Sequence, residues 1–194
     1  MAFLSSIVRR WRGLARCLLA LGLAAAWPVV ADAAPAAEPA AEYQVKAVFL
    51  FNFAQFVEWP AAAFPGEHAP LVIGVLGEDP FGAYLDRLVQ SEKVGGRSLQ
   101  VVRFRQLEDV DRCHILFVGR NPAPIDRVAE VLRDRHVLTV GDAENFARLG
   151  GMVRFVTENG KIRLRINVDA AQKSDLVISS KLLRWATIVT PDRD

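Results

Sequence analysis

The stretch LVIGVLGEDPFGAYLDRLV, residues 71–89, decides the fold, because it joins an apolar run, a tight loop and a helix pattern. The run 71–76 is short, continuous and ended by Gly77, which is typical of a strand covered on both faces of a parallel sheet. Leu85 and Leu88 then recur at helical spacing. A buried strand followed by an amphipathic helix predicts a βαβ unit.

The same alternation continues along the chain. Further strand-like runs lie at 99–104, 114–118 and 137–140. A short helix is predicted after the first, and a longer helix, capped by Asn121-Pro122, after the second; Gly141-Asp142 is predicted to form a turn and cap after the third. We therefore predict an α/β fold with a mainly parallel sheet flanked by helices.

The C-terminal part has a different pattern. Residues 152–157 and 161–166 alternate apolar and polar side chains across Asn159-Gly160, which predicts an antiparallel β-hairpin with one solvated face. We expect this hairpin to form an edge of the sheet. Asp169 is predicted to cap a helix through Leu176, and residues 180–186 to form a last helical turn that packs the side chains of Leu182, Leu183 and Trp185.

The N-terminal residues are typical of an export signal. Cationic residues precede an apolar run at 17–26, and Ala31-Asp32-Ala33 offers a cleavage site; the cationic residues are Arg9, Arg10, Arg12 and Arg16. The run is too short to span a bilayer, which needs about 20 apolar residues. We predict a cleaved signal peptide at 1–33, a disordered Ala/Pro-rich leader at 34–41, one domain at 42–190 and a periplasmic location.

Charge and cysteine content argue against a nucleic-acid-binding protein and against a domain stabilised by internal disulfides. Without residues 1–33 the chain loses four of its 24 basic and one of its 22 acidic residues, so no excess positive charge remains for nucleic acid. Cys113 is then the only cysteine, so no internal disulfide can form. We interpret it as a buried, unreactive thiol because it opens an apolar strand.

No catalytic motif is present in the sequence. The sequence lacks the nucleophile elbow, the zinc-protease helix, a Cys-x-x-Cys pair and the glycine-rich phosphate loops. His68, His114 and His136 are far apart in sequence, and the last two begin strands, at the edge opposite the usual ligand edge. We expect no enzyme activity, no catalytic residue, no metal and no cofactor.

Loops at the carboxyl ends of the strands are the candidate ligand site. They supply carboxylates, a guanidinium and an aromatic ring, which suit a small polar ligand, although the same residue types also serve as turns and caps. The candidate residues are Asp79, Phe81, Gly82, Arg120, Asn121 and Asp142. A second candidate surface is the row Arg154, Arg163 and Arg165 on the hairpin, which is either a solvated strand face or a contact for an acidic partner.

Three segments resemble the YfiR family of periplasmic regulators. They are YQVKAVFLFNFAQFVEWP at 43–60, CHILF at 113–117, and GGMVRF at 150–155 continued by INVD at 166–169 and SSKLL at 179–183. The resemblance implies a repressor that binds the periplasmic region of a membrane diguanylate cyclase and is itself captured by an outer-membrane lipoprotein. The best-studied member has disulfides, which this chain cannot form internally with Cys113 alone.

The sequence and the resemblance together give two functional hypotheses. The first is a non-enzymatic periplasmic regulator that represses a membrane-bound signalling enzyme, a diguanylate cyclase, by protein contact. The alternative is a periplasmic small-molecule binding protein that uses the carboxyl-end loops. A homodimer stays open under either hypothesis.

Overall fold

The apolar runs form the centre of one sheet. The computed structural model describes residues 40–120 and 123–190; the predicted signal peptide, residues 34–39 of the predicted leader, and Asn121 lie outside that part. The helices are α1 (Ala41–Phe56), α2 (Ala83–Val89), α3 (Ile125–Leu132), α4 (Val168–Lys173) and α5 (Ser180–Leu183). The strands are β1 (Val57–Glu58), β2 (Leu71–Leu76), β3 (Lys93–Val94), β4 (Arg97–Phe104), β5 (Ile115–Val118), β6 (Leu138–Gly141), β7 (Val153–Glu158), β8 (Lys161–Ile166), β9 (Val177–Ile178) and β10 (Ala186–Ile188).

Eight of these strands form one mixed sheet in the order β10-β8-β7-β6-β5-β2-β4-β3. The five strands from β4 to β7 in this order are parallel. β8 is antiparallel to β7, and β3 is antiparallel to β4. The structure therefore confirms the predicted α/β fold, its mainly parallel sheet and its antiparallel hairpin.

The order of the parallel strands creates a switch point. β2 lies between β4 and β5, so the chain extends the sheet in one direction after β2 and in the other direction after β5. In an open α/β sheet such a divergence leaves a crevice at the carboxyl ends of the two strands. The loops that begin at Gly77 and Gly119 border this crevice.

Each face of the sheet has its own core, because the side chains of a strand alternate between faces. In β5, Ile115 and Phe117 join the core that also contains residues of α1, α2, α4 and α5. Leu116 and Val118 join the core beneath α3. Within the first core, the ring of Phe53 in α1 stacks on a ring of β7. Both faces of the central strands are thus covered, as the continuous apolar runs predict.

His114 organises the amino-terminal edge of the sheet. Its Nδ1 accepts a hydrogen bond from the N–H of Val72 at 3.0 Å, so the ring proton lies on Nε2, which is 3.2 Å from the carbonyl oxygen of Ala63. Trp59 Nε1 donates to the carbonyl oxygen of His114 at 3.2 Å. Burial lowers the pKa of His114 below its ordinary value. The imidazole is therefore a neutral structural group at this edge.

Cys113 lies beside His114 in the second core. It is 6 % exposed, and its thiol donates to the carbonyl oxygen of Ile115 at 3.0 Å. Burial raises the pKa of the Cys113 thiol to about 12. Because the thiolate is the reactive form, the structure agrees with the interpretation of Cys113 as a buried, unreactive group.

The predicted edge position of the hairpin is wrong. β10 pairs in parallel with β8 and places Ala186 opposite Leu164 and Ile188 opposite Ile166. Helix α5 ends at Leu183, and Trp185, which was expected to pack, is 79 % exposed. The backbone groups of the residues after α5 form hydrogen bonds with β8. This pairing replaces the predicted extension of α5, a helix of only four residues.

Two predicted caps also differ in the structure. Asn167, not Asp169, caps α4, because its side chain accepts a hydrogen bond from the N–H of Ala170. Gly141 is the last residue of β6, and turns rather than a helix follow it. Phe146 from these turns lies over Gly141, where a Cβ atom would come within 2.6 Å of its ring. Close ring packing therefore explains the glycine.

Two short strands hold the end of α1 to the C-terminal segment. β1 and β9 form a separate antiparallel ladder in which Val57 pairs with Ile178.

No helix in the described part of the chain is long and apolar enough to cross a membrane.

Candidate functional site

A cavity lies at the carboxyl edge of the sheet, where the switch point predicts a crevice. It consists of two adjoining spaces of about 500 and 190 Å³ that share Tyr43, Gly119, Arg120 and Asp142. We call this region the carboxyl-edge cavity. The larger space extends along β7, and the smaller one extends to the loop after β2, through Glu78. The predicted clustering of the carboxyl-end loops is therefore present.

A buried lysine forms the centre of one wall. Lys46 in α1 is 2 % exposed, and its Nζ lies 2.6 Å from Glu42 Oε1 and 2.8 Å from Asp142 Oδ2. Tyr43 donates its hydroxyl proton to the same Asp142 oxygen at 3.0 Å, and the Lys46 ammonium lies 4.3 Å from the centre of the Tyr43 ring. A buried ammonium needs such partners because its desolvation is costly.

The ionisation of this cluster follows from its contacts. Burial opposes the charged form of Lys46, but hydrogen bonds from its ammonium to Asp142 and Glu42 outweigh burial and raise its pKa. The hydrogen bond from Lys46 lowers the pKa of Glu42. Burial and the hydrogen bond to Asp142 raise the pKa of Tyr43. Lys46 is thus charged and its positive charge is matched within the cluster.

Arg120 differs from Lys46. It lies two residues after the end of β5, is exposed, and lines both spaces of the cavity. In the part of the chain that the structure describes, its guanidinium makes no hydrogen bond or ion pair. A guanidinium has five donors in a planar fork suited to carboxylate or phosphate, so this side chain is free to bind an anion.

The residues of the loop after β2 mainly stabilise the loop itself. Asp79 Oδ1 accepts hydrogen bonds from the N–H groups of Phe81 at 2.8 Å and Gly82 at 3.2 Å, and its Oδ2 accepts from Arg103 Nε at 2.9 Å. The ring of Phe81 is fully buried, and its centre lies 4.8 Å from that of Phe117. Of the predicted ligand residues, the structure brings Arg120 and Asp142 together in the cavity, whereas these three form and fill the turn; Asn121 is outside the described residues.

Sequence reasoning missed Tyr43 and Lys46. One signal is present, because Lys46 is the only basic residue in a largely apolar helix pattern and a lysine inside a core requires an acidic partner. What the sequence does not contain is the position of that partner, since Asp142 is 96 residues away along the chain. In residues 40–120 and 123–190, no group of three or more histidine, cysteine or acidic side chains is placed to hold a metal.

The predicted arginine row lies together on one face of the hairpin. Arg154 is directly opposite Arg165, and Arg163 is opposite Val156, in the antiparallel register. Arg165 makes a long contact of 3.4 Å with Glu158 Oε1. The Nε atom of Arg154 is buried and has no hydrogen-bond partner in the described part of the chain. This face therefore carries positive charge that the fold does not fully neutralise.

A groove of about 430 Å³ runs beside this face. We call it the arginine groove; it is lined by Arg148, Arg154, Arg165, Glu144 and Thr187, together with the chain after β10. Like charges directly opposite each other across a strand pair are destabilising, so the Arg154–Arg165 pair is unfavourable without an anion.

The chain matches the model of a known protein family. Residues 43–187, which include most of the residues that line the carboxyl-edge cavity and the arginine groove, match the model of the YfiR/HmsC-like family. A search of curated proteins found no significant match.

Proposed function

The chain belongs to the YfiR/HmsC-like family, and on that premise we propose that it is a periplasmic regulator that represses a membrane-bound signalling enzyme, a diguanylate cyclase, by direct contact. The observation that carries this proposal is the arginine face of the hairpin. Its unneutralised charge fits an acidic protein surface, and electrostatic complementarity of this kind gives specificity and fast association.

Repression then depends on a difference in affinity. A regulator shifts the equilibrium of its partner only if it binds one conformation more tightly, and a shift from 1:99 to 99:1 needs about 5.5 kcal/mol. We propose that Arg154, Arg163 and Arg165 contact the periplasmic domain of the inactive enzyme. By the family resemblance, an outer-membrane lipoprotein could compete for the regulator and so release the enzyme.

The test is a complemented deletion strain in which cyclic-di-GMP is measured. Deletion should raise cyclic-di-GMP, the unaltered gene should lower it again, and the double variant Arg163→Glu, Arg165→Glu should fail to do so at normal abundance. A matched control is Lys93→Glu, Arg105→Glu, which makes the same charge change on exposed residues of β3 and just after β4. Unchanged cyclic-di-GMP in the deletion strain would refute the proposed function.

A second candidate function is supported by the carboxyl-edge cavity. We propose that Arg120 binds the anionic group of a small carboxylate or phosphate there, because its guanidinium has no acceptor within the described residues. A ligand at a hundred times its dissociation constant should stabilise the protein by about 2.7 kcal/mol, which a thermal-shift panel of such anions would detect. Arg120→Ala should abolish the shift, whereas Lys93→Ala should not. A panel without any shift would dismiss this candidate.

A further inference from the structure

The outer strand of the sheet offers an open side for pairing. β10 is the end strand beside β8, and in residues 40–120 and 123–190 no other strand pairs with it. An edge strand presents unpaired N–H and carbonyl groups, which another chain can pair with. The opposite edge is formed by β3, which has only two residues, and by the part of β4 that β3 does not pair with.

The ladder fixes which backbone groups face outward. The N–H of Val189 donates to the carbonyl oxygen of Ile166 at 2.8 Å, on the β8 side. In a parallel ladder the backbone groups of alternate residues point to opposite sides, so the N–H and carbonyl groups of Ala186 and Ile188 face away from β8. Among the described residues, these donors and acceptors of β10 have no partner, and they lie at the spacing of a strand.

Exposed apolar side chains accompany this edge. Trp185 is 79 % exposed and Ile188 is 53 % exposed. Tryptophan is among the residues that contribute most to protein interfaces, because it buries a large rigid surface on binding. An exposed tryptophan beside an unpaired strand edge indicates a protein-binding surface.

Charge identifies the kind of segment that fits. The arginine groove borders β10 through Thr187, which is paired with Arg165 and lies in the same cross-strand row as Arg154. Carboxylates placed in this groove would offset the repulsion between the two opposed guanidinium groups, beginning with that of Arg165 on the neighbouring strand β8. The groove thus favours an acidic strand over a neutral or basic one.

We propose that an extended acidic segment of a partner protein adds to the outer side of β10 as a further strand and places its carboxylates in the arginine groove. This inference rests on the proposed function for the identity of the partner, but not for the binding mode. A second copy of this chain fits less well, because pairing two β10 strands would bring two arginine grooves together and would add like charges.

The binding mode can be tested without the natural partner. The probe is a short capped peptide in which Glu alternates with Thr, labelled for fluorescence anisotropy with the purified protein. Two control peptides have Lys in place of Glu, or N-methyl groups on alternate backbone nitrogens. We expect the acidic peptide to bind saturably and both control peptides to bind at least about tenfold more weakly. The lysine peptide is repelled by the arginines, and the N-methylated peptide lacks the backbone donors of a strand.

A substitution at the edge separates strand pairing from charge attraction. Ile188→Pro removes an N–H that faces away from β8, so it should leave the fold intact and abolish peptide binding. Ile188→Ala removes the same apolar contact but keeps the N–H, and it should retain most of the binding. Circular dichroism and the melting temperature establish that both variants are folded; if Ile188→Pro does not fold, the N-methylated peptide provides the same test.

The outcomes separate this inference from the proposed function. Equal binding of the N-methylated peptide, or no binding of the acidic peptide, overturns strand addition. A protein dimer that dissociates in Ile188→Pro, together with no peptide binding, assigns the edge to a second copy and also overturns it. Peptide binding that needs the Ile188 N–H, in a protein whose deletion leaves cyclic-di-GMP unchanged, supports the inference while refuting the proposed function.

Discussion

Lys46 in the carboxyl-edge cavity and Arg154 in the arginine groove both have buried cationic nitrogen atoms, but the fold treats the two charges differently. Lys46 has two carboxylates within 2.8 Å. Arg154 faces another arginine, and its Nε has no acceptor among the described residues. The first charge is matched inside the molecule, whereas the second is not.

This difference separates stability from binding. A matched buried charge contributes to one specific arrangement of the elements around it, here α1 and the end of β6, and its loss leaves the partner groups unpaired. An unmatched charge costs the isolated fold a small amount and gains its favourable partner only on binding. Substitution of Lys46 should therefore destabilise the protein, whereas substitution of the groove arginines should alter recognition.

The largest effect should come from Lys46→Met. This change leaves Glu42 and Asp142 without their ammonium; because both carboxylates are partly exposed, we expect a loss of about 2 kcal/mol, less than the cost of breaking a fully buried ion pair. Urea denaturation measures the loss, with Lys161→Met on the exposed hairpin as the control, for which we expect a change within about 0.5 kcal/mol. A loss below about 1 kcal/mol for Lys46→Met would mean that the cluster contributes little to stability.

Tyr43→Phe should have a smaller effect in the same cavity. It removes one hydroxyl hydrogen bond to Asp142 while keeping the ring beside Lys46, and a single hydrogen bond of this kind contributes about 1 kcal/mol. Tyr84→Phe is a suitable control, because the Tyr84 hydroxyl makes no hydrogen bond in the described part of the chain. Equal melting temperatures for the two variants would contradict the prediction.

Acid should weaken the cavity through Glu42. Its folded pKa is lowered from the ordinary 4.5 by the hydrogen bond from Lys46, so its contribution to stability is present above that value and is lost as the pH falls through the folded pKa. The carboxylate is partly exposed, which keeps the contribution below about 1 kcal/mol. Unfolding free energies measured between neutral and acidic pH should show this loss in the unaltered protein and less of it in Lys46→Met.

The smallest effect should come from the groove. Arg165→Gln removes one of two opposed guanidinium groups, so the free energy of unfolding should change by less than about 0.5 kcal/mol and in the stabilising direction. Urea denaturation at low ionic strength, where the repulsion is least screened, is the appropriate measurement. A loss of more than about 1 kcal/mol would place Arg165 among the stabilising groups and would remove the contrast between the two regions.

The sequence predicts the central fold well, because each buried strand is a continuous apolar run. Residues 71–76 form β2 with the predicted boundaries, and the Asn159-Gly160 turn joins β7 to β8. The prediction fails where elements are short. β10 has three residues and α5 has four, so neither has enough residues for a periodic pattern to distinguish helix from strand.

The candidate sites could be predicted in part. The switch-point rule places Arg120 and Asp142 at one edge, because carboxyl ends of parallel strands meet there. It cannot reveal that Asp142 is bound to Lys46, which depends on how α1 packs across the sheet. The arginine row follows from strand alternation, but the position of Arg154 opposite Arg165 requires the hairpin register.

In this domain, which has a single cysteine and no internal disulfide, the hydrogen bonds of His114 form a reversible cross-link between distant segments of the chain. The one residue joins Val72, Ala63 and Trp59, which are 42, 51 and 55 residues distant in sequence. A proton on Nδ1 would remove the acceptor that Val72 uses and so open the cross-link. Since burial lowers the pKa of His114 from 6.5, the stability that it provides is complete above that pH and declines as the pH falls toward the folded pKa. The amino-terminal edge of the sheet should therefore loosen in milder acid than the carboxyl-edge cavity does.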